Sequence, residues 1–179
     1  MTGENLAALK QWIANMDTVD VFDAQQAWGK GSGALGKVQE TLAQAKVDVR
    51  KGFGDSEDGV SAAAAGAFTE VSKRLEPRIT EMNSASLRLT EVHTAMVQAQ
   101  GVRVPSDPGT KPEQKHTGGP RVVDPAFEKK LSDYKKDAAD YAGQDADAEK
   151  KIRELERTYN AAIAVMIDIH GDPYLPANP

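Results

Sequence analysis

The stretch that decides the fold is residues 125–169, which read PAFEKKLSDYKKDAADYAGQDADAEKKIRELERTYNAAIAVMIDI. Along it, aliphatic, aromatic or alanine side chains recur at alternating steps of 4 and 3 residues, with Asp145 as the one acidic member. A 3.5-residue period sustained over this length predicts a long α-helix packed along a seam of other helices. The seam positions are Phe127, Leu131, Tyr134, Ala138, Tyr141, Asp145, Ala148, Ile152, Leu155, Tyr159, Ala162, Met166 and Ile169.

The same spacing recurs in three earlier segments, and it predicts three more helices. No segment of useful length alternates with a period of two residues, so no strand is predicted. The expected fold class is therefore all-α: an elongated up-and-down helical bundle of three long helices plus a short N-terminal helix. The expected helices cover residues 4–16, 19–51, 60–99 and 125–166.

The breaks between these segments carry residues that start and stop helices. Asp17 or Thr18 can cap the second helix. The turn Gly52-Phe53-Gly54 ends that helix, because glycine tolerates the backbone conformation that follows a helix C-terminus. Pro77 falls inside the third pattern, where we expect a kink. Candidate caps for the third helix are Asp55, Ser56 and Asp58.

Composition shifts divide the chain into four regions. Residues 1–100 hold the N-terminal helices and a helical hairpin, and residues 101–124 form a flexible linker rich in proline and glycine. Residues 125–170 form the long C-terminal helix that packs on the hairpin, and residues 171–179 form an extended tail. We expect one continuous seam to bury Trp28, Leu35, Leu42, Leu75, Leu89, Leu155 and Tyr159.

Overall composition excludes several classes of function. The chain of 179 residues has a net charge of −5 and no cysteine. The charge argues against nucleic acid as a partner, and the lack of cysteine removes disulfides, thiol nucleophiles and thiolate metal sites. No segment approaches the roughly 18 apolar residues needed to span a bilayer. The amphipathic N-terminus does not resemble a cleavable signal peptide.

Two short motifs match the spacing of cofactor or metal sites without the context those sites need. Residues 31–36 match the dinucleotide pattern G-x-G-x-x-G, but the helical spacing runs through them, so we interpret them as a small-residue seam. Glu113 and His116 match one half of a di-iron motif, within the proline-rich linker. We expect no catalytic residues, no metal and no cofactor, and hence not an enzyme.

Tyr141 and Asp145 are the residue pair that bears most on function. They lie four residues apart, so they share one face of the predicted helix, and both occupy the seam. A carboxylate in a seam destabilises the fold unless it is paired. The structural interpretation is a buried tyrosine beside an aspartate that hydrogen-bonds within the bundle or fixes its register. If a partner reads the pair instead, the bundle must leave it uncovered or open locally.

A resemblance gives this pair a second interpretation. Tyr141-Ala-Gly-Gln-Asp145 fits the Tyr-x-x-x-Asp/Glu secretion motif, and residues 146–159 resemble the stretch that follows it in longer actinobacterial proteins. The turn Gly52-Phe53-Gly54 before an alanine-rich helix resembles a Trp-x-Gly helix–turn–helix, with Phe53 in place of tryptophan. The chain thus resembles the WXG/PPE superfamily of type VII (ESX) secretion substrates, which also carry proline-rich ends like residues 173–176.

The resemblance implies that the protein is secreted as a folded bundle, without a cleavable signal peptide, and acts by protein–protein interaction. It implies the type VII secretion machinery or a chaperone as partner, with Tyr141 and Asp145 as part of the signal. A helical partner or a homo-oligomer stays open, and so does membrane contact. The alternatives are a cytosolic helical adaptor or scaffold, and a secreted, oligomeric, membrane-interacting bundle.

The linker gives a first testable prediction. Limited proteolysis should cut first within residues 101–124, because proline- and glycine-rich connections lack the backbone protection of packed helices. Mass spectrometry of the earliest fragments checks this. First cuts inside residues 19–51 or 60–99 would contradict the proposed division of the chain.

Overall fold

The computed structural model describes residues 3–54, 59–102, 105, 107–113 and 125–171. Within these residues the regular structure is entirely helical, with no strand. The predicted all-α bundle of three long helices and a short N-terminal helix is confirmed. The helices are α1 (Glu4–Ala14), α2 (Thr18–Phe53), α3 (Val60–Gln100) and α4 (Pro125–His170).

Local capping chemistry sets the ends of α2. The Asp17 side chain accepts hydrogen bonds from the backbone N–H groups of Val19 and Asp20, both at 3.0 Å, and so caps the N-terminus. Gly54 follows the last helical residue with φ +81°, a conformation that favours glycine. The predicted cap and the predicted terminating turn are thus both in place.

The observed helices differ from the predicted ranges by a few residues. α1 ends at Ala14, because the N–H groups of Asn15 and Met16 bond to carbonyls only three residues back, at Trp12 and Ile13. α4 ends at His170, which agrees with the predicted region 125–170 and lies beyond the narrower helix range that ended at residue 166. Pro77 lies inside α3, which continues on both sides of it.

Several predicted features lie partly or wholly outside the described residues. Of the predicted linker, the described residues 101–102, 105 and 107–113 adopt neither helix nor strand. Its remaining residues, the candidate caps at 55–58 and the tail beyond Gly171 lie outside the described residues.

One compact unit consists of Met1–Met16 and Ala95–Glu156. It combines α1, the last residues of α3 and most of α4. Leucine, methionine and alanine side chains from all three helices are buried in it, and Leu9 and Leu155 are 0% and 1% exposed. Its buried residues are Leu6, Leu9, Ala95, Met96, Ala99, Ala138, Ala148 and Leu155.

The other compact unit consists of Asp17–Thr94 and Arg157–Pro179. Here α2 and most of α3 run antiparallel, as three cross-helix hydrogen bonds show. Ser86 Oγ donates to the Gln25 carbonyl at 3.1 Å, Ser32 Oγ donates to Asn83 Oδ1 at 2.6 Å, and Gln39 Nε2 donates to the Ser72 carbonyl at 3.0 Å. Residue numbers rise along α2 as they fall along α3.

The seam is less deeply buried than its spacing predicts. Of the seven residues expected in one buried seam, Leu155 is buried, whereas the other six are half-buried. Alanines occupy many fully buried positions instead, among them Ala65, Ala85 and Ala162. A short side chain allows close approach of two helices, and longer neighbours then lie at the edge of the contact. The half-buried residues are Trp28, Leu35, Leu42, Leu75, Leu89 and Tyr159.

This difference in burial gives a stability prediction. Leu155→Ala should lower the free energy of unfolding by about 2–5 kcal/mol, because it empties a fully buried site. Leu42→Ala should cost less, since a half-buried side chain removes less apolar area from water. Chemical denaturation of both variants measures the two losses of unfolding free energy. An equal or larger loss for Leu42→Ala would contradict the assigned packing.

Candidate functional site

Tyr141 and Asp145 lie one turn apart on α4, in the compact unit that also contains α1. Both side chains are half-buried, so each contacts the bundle and also presents part of its surface to solvent. The spacing of four residues places them on one face of the helix, as the sequence predicts. What covers the pair is the N-terminal turn of α1.

The Asp145 carboxylate caps α1 from a distant point in the chain. Its Oδ1 accepts a hydrogen bond from the backbone N–H of Leu6 at 2.9 Å, and its Oδ2 accepts one from Nδ2 of Asn5 at 3.0 Å. The residue in the N-cap position of α1, Gly3, provides no side-chain cap. Asp145 therefore satisfies a backbone donor that a helix start normally leaves without an intrahelical partner.

Tyr141 packs its ring against the start of the same helix. A Cβ atom placed on Gly3 would lie 2.8 Å from Cε1 of Tyr141 and would overlap the phenol oxygen. Real Cβ atoms do not approach other atoms so closely, so the ring occupies the space that any larger residue would need. An alanine at position 3 would therefore force the end of the Tyr141 side chain to move.

Two buried leucines fix α1 behind this contact. Leu6 and Leu9 are 2% and 0% exposed, and they lie three residues apart on the inner face of the helix. Burial of a leucine side chain contributes about 1.5–3 kcal/mol. The apolar contact therefore holds α1 in place, while Asp145 and Tyr141 define where its first turn lies.

The α4 surface that follows the pair is charged. A shallow groove of about 550 Å³ is lined by Val102 and by α4 residues from Gln144 to Glu154. Asp147 and Lys150 form an exposed ion pair at 2.8 Å in it. The hydrogen bond and charge of Lys150 lower the pKa of Asp147, although such solvent-exposed pairs add little to stability.

The predicted turn belongs to the other compact unit. α2 ends at Phe53, whose side chain is 73% exposed and is not part of the core. The buried Ser61 hydroxyl donates to the Gly54 carbonyl at 2.7 Å and ties the two ends of the connection together. A Cβ atom placed on Gly52 would have no neighbouring atom within 4 Å, so no close approach requires a glycine at that position.

An apolar groove of about 490 Å³ lies in that same unit. Its lining comes mainly from the last turns of α4, with additional residues from α2 and α3. Ile163 and Ile167 are exposed along it, and burial raises the pKa of Tyr159 in its wall. Further lining residues are Val21, Leu89, Val92, Ala162, Met166 and His170.

Of the two motifs with cofactor or metal spacing, the glycine motif lies wholly within the described residues, and the Glu113–His116 motif does not. Residues 31–36 lie within α2. A Cβ on Gly31 would meet Met82 Cε at 2.7 Å, as a small-residue seam requires, whereas a Cβ on Gly33 or Gly36 would have no neighbouring atom within 4 Å. Glu113 lies in non-helical chain, and His116 lies outside the described residues. Among the residues that the structure describes, no group of three or more acidic or histidine side chains could hold a metal ion.

Sequence reasoning found Tyr141 and Asp145 but missed their partners Gly3, Asn5 and Leu6. One signal was present: the first helix starts without Asp, Ser or Thr immediately before it, so its cap had to come from elsewhere. Asp145 was also the one acidic seam residue in need of donors. Both signals are local in the sequence. Only the fold brings Leu6 and Asp145 together across 139 residues of sequence separation.

Comparisons with protein families, curated proteins and solved structures find no match for this sequence. In the described part of the chain, no helix combines the length and the apolar character that crossing a membrane requires.

The contact between Gly3 and Tyr141 gives a third prediction. Gly3→Ala should destabilise the protein by about 1–3 kcal/mol, because the added methyl group overlaps the tyrosine ring. Gly33→Ala is the matched control: no atom lies within 4 Å of its added Cβ, so it should stabilise α2 by up to about 1 kcal/mol. Thermal denaturation checks both, and a neutral Gly3→Ala would show that Tyr141 does not pack there.

Proposed function

We propose that this protein is a type VII (ESX) secretion substrate, or a secretion-associated helical bundle, that is exported folded and acts by protein–protein interaction. The observation that carries the proposal is the half-exposed Tyr141–Asp145 pair on one face of α4. Together with the Tyr-x-x-x-Asp spacing, it offers a compact epitope on a rigid helix.

The chemistry of the pair suits recognition by a receptor. A tyrosine ring provides apolar contact area with a polar end, and tyrosine is enriched in the residues that dominate binding energy. A carboxylate one turn away can accept charge-assisted hydrogen bonds from arginine or from backbone N–H groups. Both groups stand on the same helical face, so one small pocket can engage them at once.

The apolar groove supports the second half of the proposal, action through other proteins. Ile163 and Ile167 expose aliphatic surface along this groove, beside the apolar side chains of Val21 and Met166. Contiguous exposed apolar surface is typical of interaction sites. This support is independent of the Tyr141–Asp145 pair and holds equally for an adaptor that is never exported.

The test is export from the native host of Tyr141→Phe and Asp145→Asn, measured by blotting cell and medium fractions. Export should fall by about tenfold in each variant, because Asp145→Asn removes a charge-assisted hydrogen bond and Tyr141→Phe removes the hydrogen bond of the phenol. Tyr134→Phe and Asp140→Asn are matched controls on the same helix and should be exported normally. Asp140 is exposed and differs from Asp145 by lying off the seam.

Melting temperatures must be compared first, because Asp145→Asn also weakens the cap on α1. Normal export of both folded variants would show that the motif is a chance match. Retention of the wild-type protein in the cell would have the same consequence, and both results would favour the cytosolic adaptor or scaffold.

A further inference from the structure

The pair that the proposed receptor would read is already engaged within the chain. Each carboxylate oxygen of Asp145 accepts one hydrogen bond from the first turn of α1, and the Tyr141 ring lies against Gly3. A receptor that approaches this face therefore meets α1 as well as the pair. Its donors would compete with Leu6 N–H and the Asn5 amide for the same acceptor.

α1 is suited to be displaced. It has 11 residues, which is below the roughly 12–15 at which isolated helices become marginally stable in water. It has no capping side chain of its own. Release from α4 therefore removes both its capping hydrogen bond and the burial of its two leucines. Once released, the segment should lose helical structure and should not compete for the surface it has left.

We propose that α1 is an intramolecular cover of the Tyr141–Asp145 face, and that a partner reading this face must displace the first turn of α1. The partner presents the chemistry that α1 presents, N–H donors of a helix N-terminus and a side-chain amide, next to a space that accepts a tyrosine ring. This inference rests on the proposed function for its biological role, but the cover itself can be tested separately.

The direct test is the chemical accessibility of Tyr141 in the full-length protein. Leu9→Ala weakens the docking of α1 without changing either member of the pair. Nitration of Tyr141, followed by peptide mass spectrometry, should show a severalfold rise in rate, while Tyr134 on the same helix keeps its rate. Asn5→Ala, which removes one of the two bonds to Asp145, is a milder second variant if Leu9→Ala folds poorly, and should raise the rate less.

Val92→Ala is the control, because it truncates a buried aliphatic side chain in the other compact unit, away from the core that holds α1. It should leave the Tyr141 nitration rate unchanged. An unchanged rate in Leu9→Ala, or an equal rise in Val92→Ala, would overturn the proposal, since α1 would then not be what occludes the ring.

Measurement of export distinguishes failure of the α1 cover from failure of the proposed secretion function. If α1 restrains recognition, Leu9→Ala should raise the exported fraction, and addition of Tyr141→Phe should abolish the increase. A rise in nitration without a rise in export would overturn the regulatory role of α1, even where Tyr141→Phe alone blocks export. If Tyr141→Phe and Asp145→Asn do not affect export, the proposed function fails, while nitration still decides whether α1 covers the ring.

Discussion

The position of the first turn of α1 depends on one interaction, the hydrogen bonding of the Asp145 carboxylate at its N-terminus. A helix start carries backbone donors without intrahelical partners, and Gly3 offers no side chain to satisfy them. The Asp145 carboxylate supplies the missing hydrogen-bond acceptor. The same carboxylate, which lies within an apolar seam, thereby gains the donors that it needs. Each requirement alone would destabilise its helix, and together they specify where α1 docks on α4.

The helices were predictable from the sequence because their determinants are local. Spacing by 3 and 4 residues, the Asp17 cap and the Gly54 turn act within a few residues, and they placed most helix ends within two residues. The depth of burial was not predictable in this way. Spacing identifies a face such as that of Leu42 or Leu75, but the neighbours that cover that face come from distant sequence.

The candidate site shows the same limit. The sequence identified Tyr141 and Asp145 from their spacing, and it posed the question of how a seam carboxylate is satisfied. The structure shows how the carboxylate is satisfied, since Asp145 accepts hydrogen bonds from α1 within the bundle. The structural role and the proposed recognition role use the same acceptor, because a surface that receives one helix N-terminus is able to receive a partner's donors once α1 is displaced.

Amide hydrogen exchange at Leu6, followed by NMR, tests the central claim most directly. The Leu6 N–H should be protected in the wild-type protein and should lose protection in Asp145→Ala. The N–H groups of Val19 and Asp20, which Asp17 caps, should stay unchanged and serve as internal controls. Equal protection of Leu6 in both proteins would contradict the account, because α1 would then hold its position without the Asp145 carboxylate.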